Sequence, residues 1–258
     1  MEIIGRGFFA ANLEPIASAH PDVTALAAGV SRTRTVPNSE YLREAALVHD
    51  TIRDCVRRGR TLLFLSTASA SLYGDGGRPG EESDELAPTE PFGRHKLGLE
   101  ADIRASGVRH LIVRLTHAVG PHQTGQLLLG LVRQLRSGTV EVYKGACRDL
   151  IDVADAVTLI DELLRRGVNG EVVNIASGFA APVEDIIDHL ETRLGGPPAE
   201  RRMLDAPSRQ AVSIEKLRRL VPAVSTMGFG PGYHRTVIDR YAAELVGPAG
   251  PGGESTAL

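Results

Sequence analysis

The stretch Glu2-Ile3-Ile4-Gly5-Arg6-Gly7-Phe8-Phe9-Ala10 decides the fold, because it passes from a short apolar strand to a helix across two closely spaced glycines. Glycine lets the backbone turn tightly and approach a pyrophosphate, and the start of the helix offers free N–H groups and the positive end of its dipole. Ala10 is small enough to replace the third glycine of a G-x-G-x-x-G pattern. The pattern therefore predicts a dinucleotide site, although an ordinary glycine turn is the alternative. The residues expected to contact the dinucleotide here are Gly5, Arg6, Gly7, Phe8 and Phe9.

Apolar runs alternate with helix-like stretches on both sides of this turn. The predicted strands are Glu2–Ile4, Val23–Ala28, Thr61–Leu65 and His110–Leu115, and the predicted helices are Phe8–Ala19, Tyr41–Arg58 and Lys96–Ser106. Strands separated by helices indicate βαβ units with right-handed crossovers, and therefore a parallel sheet. We predict an α/β fold in which residues 1–120 form a Rossmann-type sheet flanked by helices. The helix Tyr41–Arg58 is expected to bury Leu42, Val48 and Ile52 on one face.

The pattern changes after Gly120-Pro121. We interpret residues 121–246 as a mixed segment that adds a smaller substrate-binding cap and further sheet elements, including a strand at Glu171–Ile175. The apolar face of Gln126–Arg136 either lines the substrate site or belongs to the core. Met203 is expected to face inward over the ligand. Residues 247–258 are rich in Gly, Pro and Ser and are predicted to be a disordered tail.

The composition excludes several classes of function. Lys and Arg total 29 against 32 Asp and Glu, a formal net charge of −3, which disfavours a nucleic-acid partner. No apolar run approaches the roughly 18 residues of a membrane span. Two cysteines are too few for a disulfide framework and favour a cytoplasmic location. The eight histidines and two cysteines show no spacing typical of a metal site.

The adenosine end of the predicted dinucleotide site is unusual. A standard fingerprint has an acidic residue about 20 positions further on, at the end of the second strand. Asp22 has roughly that offset, but it precedes the strand at Val23, so a strand or two is missing and the nucleotide half is shortened. Arg6, Arg32 and Arg34 lie near that end, and guanidinium groups suit a 2′-phosphate. We therefore expect NADP rather than NAD, the alternative being that these arginines are solvated surface groups.

Hydroxyl side chains cluster after the buried strand that ends near Leu65. Thr67, Ser69 and Ser71 follow it at the edge where doubly wound folds bind ligands. Such hydroxyls can hold a carbonyl oxygen, and the alternative is a polar turn in which a serine caps the next element.

The segment Glu90-Pro91-Phe92-Gly93-Arg94-His95-Lys96, with this hydroxyl cluster before it, resembles the short-chain dehydrogenase/reductase superfamily in its extended, atypical branch, which includes NAD-dependent epimerases and dehydratases. Members have a strand-end Ser or Thr about two dozen residues before a Tyr-x-x-x-Lys. The segments at residues 114–121, 148–157 and 171–178 are similar to stretches of the same branch, the last two to sugar-nucleotide epimerases. The resemblance covers roughly residues 1–195 and implies a Rossmann fold that binds NAD(P).

The resemblance also implies roles for individual residues. Ser69 occupies the catalytic Ser/Thr position, with Thr67 as the runner-up, and Lys96 is expected to bind the nicotinamide ribose hydroxyls and stabilise negative charge. His117 stands near the nicotinamide, where members usually have Asn. The further residues implied in cofactor binding are Ala28, Gly29, Ser31, Thr67, Leu115 and Thr116.

The sequence departs from the family pattern at Phe92, which stands at the position of the tyrosine that protonates the forming alkoxide; the alternative is a different register of the motif. Ser69 and Thr67 hold a carbonyl well but are poor acids. His95 and His117 titrate near neutrality, yet either can be a structural histidine. A phenol of the substrate, beside its ketone, is the remaining proton source.

Three functions follow from these features. The first is an NAD(P)H-dependent ketoreductase that acts on a phenolic polyketide in secondary metabolism, with substrate-assisted protonation. The alternatives are a sugar-nucleotide epimerase or 4-ketoreductase, and a non-catalytic NADP-binding sensor. The expected partner is a small-molecule substrate, with no nucleic acid or membrane, and the expected state is a monomer or a homodimer.

Overall fold

The computed structural model describes residues 1–31, 36–74, 78–205 and 211–246. The strands are β1 (Glu2–Ile4), β2 (Val23–Leu26), β3 (Thr61–Thr67), β4 (His110–Leu115), β5 (His117–Val119), β6 (Thr139–Tyr143), β7 (Cys147–Asp152), β8 (Glu171–Ile175), β9 (Ala180–Pro182) and β10 (Glu200–Leu204). The helices are α1 (Phe8–Leu13), α2 (Asn38–Arg58), α3 (Ala70–Tyr73), α4 (Pro91–Ala105), α5 (Leu127–Arg136), α6 (Val153–Arg165), α7 (Val183–Leu194), α8 (Glu215–Leu220), α9 (Tyr233–Arg240) and α10 (Ala242–Val246), with 3-10 helices at Glu14–Ala19 and Pro222–Thr226.

Five parallel strands form the central sheet in the order β1-β2-β3-β4-β8. Leu63 of β3 pairs in register with Ala25 on one side and Leu111 on the other, and all three are fully buried. Strands that are covered on both faces consist of nearly continuous apolar residues, as the sequence shows here. The predicted α/β fold with a parallel sheet flanked by helices is confirmed.

Strand β1 lies at one edge of this sheet, and no strand in the described ranges pairs with its outer side. The chain leaves β1, forms α1 and the 3-10 helix Glu14–Ala19, and enters β2 directly as the neighbouring strand. In the described ranges the sheet therefore stops at β1, on the side where the adenosine half of a dinucleotide would bind.

The helix boundaries that differ most from the prediction are the end of α1 and the start of α4. The helix predicted over Phe8–Ala19 ends as an α-helix at Leu13 and continues as a 3-10 helix, because Pro15 lacks an N–H and its ring clashes with the preceding turn. Helix α4 begins at Pro91 rather than at Lys96, since proline is favoured in the first turn. Phe92 and Lys96 therefore stand one turn apart on the same helix.

The later part of the chain both completes the sheet and builds a second layer. Strand β8 returns to the central sheet, whereas β5-β7-β9 and β10-β6 form two small sheets. Helices α5, α7 and α9 pack around these sheets and form a second apolar cluster with them. Four buried residues of α5 belong to this cluster, which are Leu128, Leu131, Val132 and Leu135. Met203 was expected to face inward, but 41% of its surface is exposed because β10 pairs with β6 along one edge only. The segment at residues 247–258 lies outside the described residues.

None of the helices in the described ranges combines the length and the apolar character that crossing a bilayer requires.

Candidate active site

The glycine turn lies at the carboxyl end of β1. Gly5 has φ +140°, and a Cβ there would stand 2.5 Å from the carbonyl oxygen of Ala27, so only glycine fits between β1 and the end of β2. Gly7 precedes α1 without a side-chain cap, and a Cβ at this position would meet no heavy atom within 4 Å. Arg6 and Gly7 are exposed, whereas Phe8 and Phe9 are half-buried and pack edge to face.

This turn fits the pyrophosphate of a dinucleotide. Gly7 leaves open space at the amino end of α1, where backbone N–H groups attract an anion. The adenosine end is less complete, because β1 is the edge strand in the described part of the sheet. Arg32 and Arg34, which were predicted to contact a 2′-phosphate, lie outside the described residues. Their interaction with the cofactor therefore stays a prediction.

Gly29 follows β2 and lies against a buried ion pair. A Cβ at Gly29 would stand 2.2 Å from Oε1 of Glu44 and 2.9 Å from Nζ of Lys96. The backbone N–H of Val30 donates to Oε2 of Glu44 over 2.9 Å. Ala28 is half-buried, and Gly29 and Ser31 are exposed beside it. Of the three predicted cofactor-binding residues after β2, Gly29 thus lies next to the carboxylate and the ammonium.

Lys96 is almost completely buried, with 3% of its surface exposed. Its ammonium donates to Oε1 of Glu44 over 2.7 Å. Nζ lies 5.3 Å from the centroid of the Phe64 ring and 5.9 Å from that of Phe92. Its predicted role toward the cofactor ribose remains a prediction, since the ammonium is engaged by a carboxylate in this structure.

Glu44 is the centre of this cluster. Nε2 of His95 lies 3.0 Å from Oε2 of Glu44, and the ring of Tyr41 packs against the His95 imidazole at 4.7 Å. Burial raises the pKa of the Glu44 carboxyl, but the hydrogen bonds from His95 and Lys96 and the charge of Lys96 outweigh it and lower the pKa to about 2. Glu44 is therefore an ionised carboxylate at neutral pH.

Phe92 is buried in the first turn of α4, and its neighbour Gly93 brings this turn against α3. A Cβ at Gly93 would stand 1.8 Å from the carbonyl oxygen of Ser71. The helix turn that carries Phe92 therefore touches the segment that carries the hydroxyl cluster. The Phe92 ring can exclude water, but it offers no proton.

The hydroxyl cluster is ordered by hydrogen bonds among its own members. Oγ of Ser69 lies 2.6 Å from Oγ of Ser71, and the Ser69 N–H donates to Oγ1 of Thr67 over 3.1 Å. Ser69 is the residue before α3, but its hydroxyl makes no capping hydrogen bond to that helix. Ser69 and Thr67 are half-buried, so they remain candidates to hold a carbonyl oxygen.

Tyr73 ends α3, close to this cluster, but its hydroxyl is engaged on both sides. It donates to Oδ1 of Asn174 and accepts from Nη1 of Arg114, each over 2.8 Å. Burial raises the pKa of Tyr73 to about 12 in spite of the nearby Arg114. This phenol is therefore a poor substitute for the missing acid.

Beneath the cluster, β4 and α4 are joined by a buried ion pair. Nη2 of Arg114 lies 2.7 Å from Oε2 of Glu100, and Ser66 of β3 donates to the same carboxylate. Both charged residues are buried. The ion pair thus fixes α4 against β4, and the Ser66 hydrogen bond fixes it against the end of β3.

Leu115 and Thr116 are buried at the end of β4, and the Thr116 N–H donates to the carbonyl oxygen of Ile175. His117 begins β5, where it pairs in register with Leu150 of β7 and is half-buried. These three residues therefore lie at the carboxyl edge of the sheet, where β4 passes into the second layer. Their predicted contacts with the nicotinamide stay predictions.

A cavity of about 350 Å³ opens near the carboxyl end of β8. Its wall includes the loop before Glu81, and Gly80 of this loop packs on the ring of Tyr73. The lining combines apolar and charged side chains, which are Phe179, Val212, Ile214, Arg78, Glu215 and Arg218. The segment after residue 211 thus lines a cavity on the same edge of the sheet as the hydroxyl cluster.

Sequence reasoning missed Glu44 and the pair of Glu100 and Arg114. A signal for Glu44 exists, because Glu44, Val48, Ile52 and Cys55 recur at helical spacing and all are buried. The apolar face was instead predicted to include Leu42, which is 64% exposed. In the described ranges, no group of three His, Cys, Asp or Glu residues could hold a metal ion.

The fold and this site define an NAD(P)-type Rossmann protein, and comparison with known families specifies the class. Residues 10–176 match the NAD dependent epimerase/dehydratase family. This match covers more than half of the chain, so the protein belongs to the NAD dependent epimerase/dehydratase family. The match begins after Gly7, so the glycine turn lies outside it.

Individual relatives are more distant. The low-salt glycan biosynthesis protein Agl12 of Haloferax volcanii is 29% identical over 205 residues, which cover 70% of this chain and 62% of that protein. The UDP-glucose 4-epimerase of Halalkalibacterium halodurans is 28% identical over 203 residues, covering 67% and 59%. The chain thus spans less than two thirds of the length of these relatives.

Among solved structures, the RMD protein of Pseudomonas aeruginosa complexed with NADPH is similar with a TM-score of 0.72. The similarity covers 95% of this chain and 98% of that one at 19% identity, so it concerns the fold.

Proposed function

We propose that this protein is an NAD(P)H-dependent ketoreductase that receives the proton for the new hydroxyl from its substrate. One observation carries the proposal: Phe92 occupies the first turn of α4, one turn from Lys96 and beside the segment with the hydroxyl cluster. The side chain at the position where an acid is needed is therefore a phenyl ring, which has no acidic proton to donate. The retained hydroxyls and the buried lysine favour a working site over a non-catalytic sensor.

A nicotinamide dinucleotide would supply the hydride when bound. The open turn at Gly7 would hold its pyrophosphate, and the exposed Gly29 and Ser31 would lie beside the nicotinamide half. We propose NADPH, because Arg6 is exposed next to the turn and guanidinium suits a 2′-phosphate. NADPH is also the ligand of the RMD protein, whereas the family description mentions NAD.

The remaining chemistry falls to the side chains and the substrate. Ser69 and Thr67 would orient the carbonyl through hydrogen bonds to its oxygen, which aligns the carbonyl carbon for hydride. As hydride reaches the carbonyl carbon, a phenol beside the ketone would give its O–H proton to the carbonyl oxygen, and a proton from the solvent would restore the phenol. Phe92 would keep other water away from the reacting atoms. The half-buried His117 is a further candidate for contact with the substrate.

The substrate that suits this scheme is a phenolic aromatic polyketide, as expected in antibiotic biosynthesis. An angucyclinone, the polyketide part of simocyclinone, is one example. The cavity after β8 has apolar walls at Phe179, Val212 and Ile214, which suit a flat aromatic body, beside charged side chains that could hold polar substituents. A cytoplasmic enzyme, as a monomer or a homodimer, is part of the same proposal.

A second candidate is a sugar-nucleotide epimerase or 4-ketoreductase. It is favoured by the UDP-glucose 4-epimerase among the relatives. Phe92 argues against it, because hexose hydroxyls are too weakly acidic to replace a phenol.

The test is NADPH oxidation followed at 340 nm with three carbonyl compounds: a phenolic polycyclic ketone, its O-methyl ether and a nucleotide 4-keto-sugar. The wild type and Phe92→Tyr are compared. We expect turnover of the phenolic ketone, loss of turnover with the ether, and no gain from Phe92→Tyr. Turnover of the keto-sugar that Phe92→Tyr improves would instead establish the second candidate. NADPH binding without oxidation of any compound would favour a sensor.

A further inference from the structure

We infer that Glu44 is a positioning residue of this site, which holds the Lys96 ammonium beside Gly29 and cancels its positive charge at the Phe92 position. A substrate phenol bound near Phe92 would therefore stay protonated until the carbonyl oxygen takes its proton. In this last step the inference rests on the proposed function. The electrostatic statement itself concerns only residues of this chain.

The geometry leaves Lys96 with little freedom. Its ammonium contacts Oε1 of Glu44 at 2.7 Å, and the side chains of Lys96 and Glu44 are 4% and 0% exposed. Gly29 closes the pair from the end of β2, because a Cβ there would overlap Oε1. The Val30 N–H and His95 hold the second carboxylate oxygen. The carboxylate is thus fixed from α4 and from the loop after β2, and the ammonium is fixed by the carboxylate.

The charges around Phe92 then nearly balance. An ammonium 5.9 Å from the ring would by itself favour an ionised phenol at that position, since an opposite charge within about 4–6 Å lowers the pKa of an acid by 1–3 units. The Glu44 carboxylate, in direct contact with the same ammonium, opposes this effect. Within the described ranges, the other titratable groups beside the cluster are His95 on α4, Tyr41 and Arg43 on α2, and Glu90 just before α4.

An uncompensated lysine would lower the pKa of a substrate phenol at this position and increase the ionised fraction before hydride transfer. A phenolate has no proton to give. The substitution at Phe92 and the carboxylate at Glu44 are therefore consistent with each other. Restoring a phenol by Phe92→Tyr alone would not restore a lysine-activated acid.

The experiment measures ionisation of the phenol introduced by Phe92→Tyr, from tyrosinate absorbance at 295 nm in the protein without cofactor or substrate. The parent protein, with its five tyrosines, provides the background. Phe92→Tyr is compared with Phe92→Tyr/Glu44→Gln, Phe92→Tyr/Lys96→Met and the triple variant Phe92→Tyr/Glu44→Gln/Lys96→Met. For the other three variants the background is the same variant with Phe92 kept, because Glu44 contacts His95 and raises the pKa of Tyr41.

We expect Glu44→Gln to lower the titration midpoint of the introduced phenol by at least about one pH unit, and Lys96→Met to raise it. The triple variant, which replaces the ion pair by a neutral pair, should titrate close to Phe92→Tyr alone. An unchanged midpoint in both double variants would overturn the inference. If the variant with Glu44→Gln alone does not fold, as judged by circular dichroism, the triple variant decides, because a midpoint clearly above that of Phe92→Tyr would show that Lys96 is not neutralised.

This titration separates the inference from the proposed function. Absence of NADPH oxidation by the wild type would reject the ketoreductase, and the phenol midpoints would still decide whether Glu44 neutralises Lys96.

Discussion

Gly93 of α4 lies directly against the carbonyl oxygen of Ser71 in α3, at a separation that leaves no room for a methyl group. This contact joins the helix of Phe92 and Lys96 to the segment of Ser69 and Thr67. Because Gly93 is in the first turn of α4, the closest approach of the two helices occurs next to Phe92.

Gly93→Ala is expected to destabilise the protein by about 1–3 kcal/mol, because the new methyl group overlaps backbone, which relaxes poorly. The measurement is urea denaturation followed by circular dichroism. Gly98→Ala is the matched control: Gly98 lies in the same helix, and a Cβ there meets no heavy atom within 4 Å. This control should be stabilised by about 0.5–1 kcal/mol, since alanine is the better helix former. Equal stability of the two variants would contradict the close approach.

Glu100→Gln is expected to cost about 3–5 kcal/mol, because it leaves the Arg114 guanidinium buried without its carboxylate. Urea denaturation again measures the free energy of unfolding. The control is Glu162→Gln, which breaks a pair with Arg166 in which the side chains are 34% and 44% exposed. Such a pair contributes about 0–1 kcal/mol. A loss for Glu100→Gln no greater than that of the control would mean that Arg114 is stabilised by other groups.

The sheet could be predicted from the sequence because its strands are covered on both faces. Glu171–Ile175 has the bounds of β8, and His110–Leu115 has those of β4. The strands of the two small sheets could not be predicted in the same way. β7 includes Arg148, Asp149 and Asp152 among its six residues, and its pairing with β5 and β9 depends on contacts distant in the sequence.

The candidate site could be predicted only in part, for a similar reason. Phe92, Lys96 and Ser69 belong to a pattern of fixed spacing, so the sequence alone indicates them. Glu44 precedes Lys96 by 52 positions, and no local pattern connects the two. The local sequence indicates only that Glu44 lies on the buried face of α2. Its role depends on the cation that the fold places beside it, which is Lys96.

Gly7→Ala is expected to weaken NADPH binding by at least about tenfold, or 1.4 kcal/mol, because the methyl group occupies open space at the amino end of α1. The free energy of unfolding should change by less than about 1 kcal/mol, since Gly7 is exposed and its φ of −87° suits alanine. NADPH fluorescence titration and urea denaturation measure the two effects.

Gly5→Ala provides the contrast, because its φ of +140° and the nearby Ala27 carbonyl should make it destabilising. Unchanged NADPH affinity in folded Gly7→Ala would show that the turn does not hold the pyrophosphate.

Asp149 of β7 connects the second layer to the turn after β8. Its carboxylate accepts hydrogen bonds from the N–H and hydroxyl of Ser177 and from the Gly178 N–H, over 2.8–3.0 Å. Burial nevertheless raises the pKa of Asp149 to about 6, against about 3.9 in an unfolded chain. The folded protein therefore binds a proton here that the unfolded chain has already released.

The stabilising contribution of protonated Asp149 is complete below about pH 4 and decreases as the pH rises through about 6, because the folded state holds more protons than the unfolded state in this window. By neutral pH the loss amounts to about 3 kcal/mol. Asp149→Asn does not titrate, so its free energy of unfolding should decrease less between pH 4 and pH 7 than that of the wild type. Urea denaturation at four pH values in this range measures the difference. Asp50→Asn, at an exposed position, is the control, and its free energy of unfolding should follow that of the wild type at every pH. If the free energy of unfolding of Asp149→Asn changes with pH in the same way, Asp149 is ionised throughout this range.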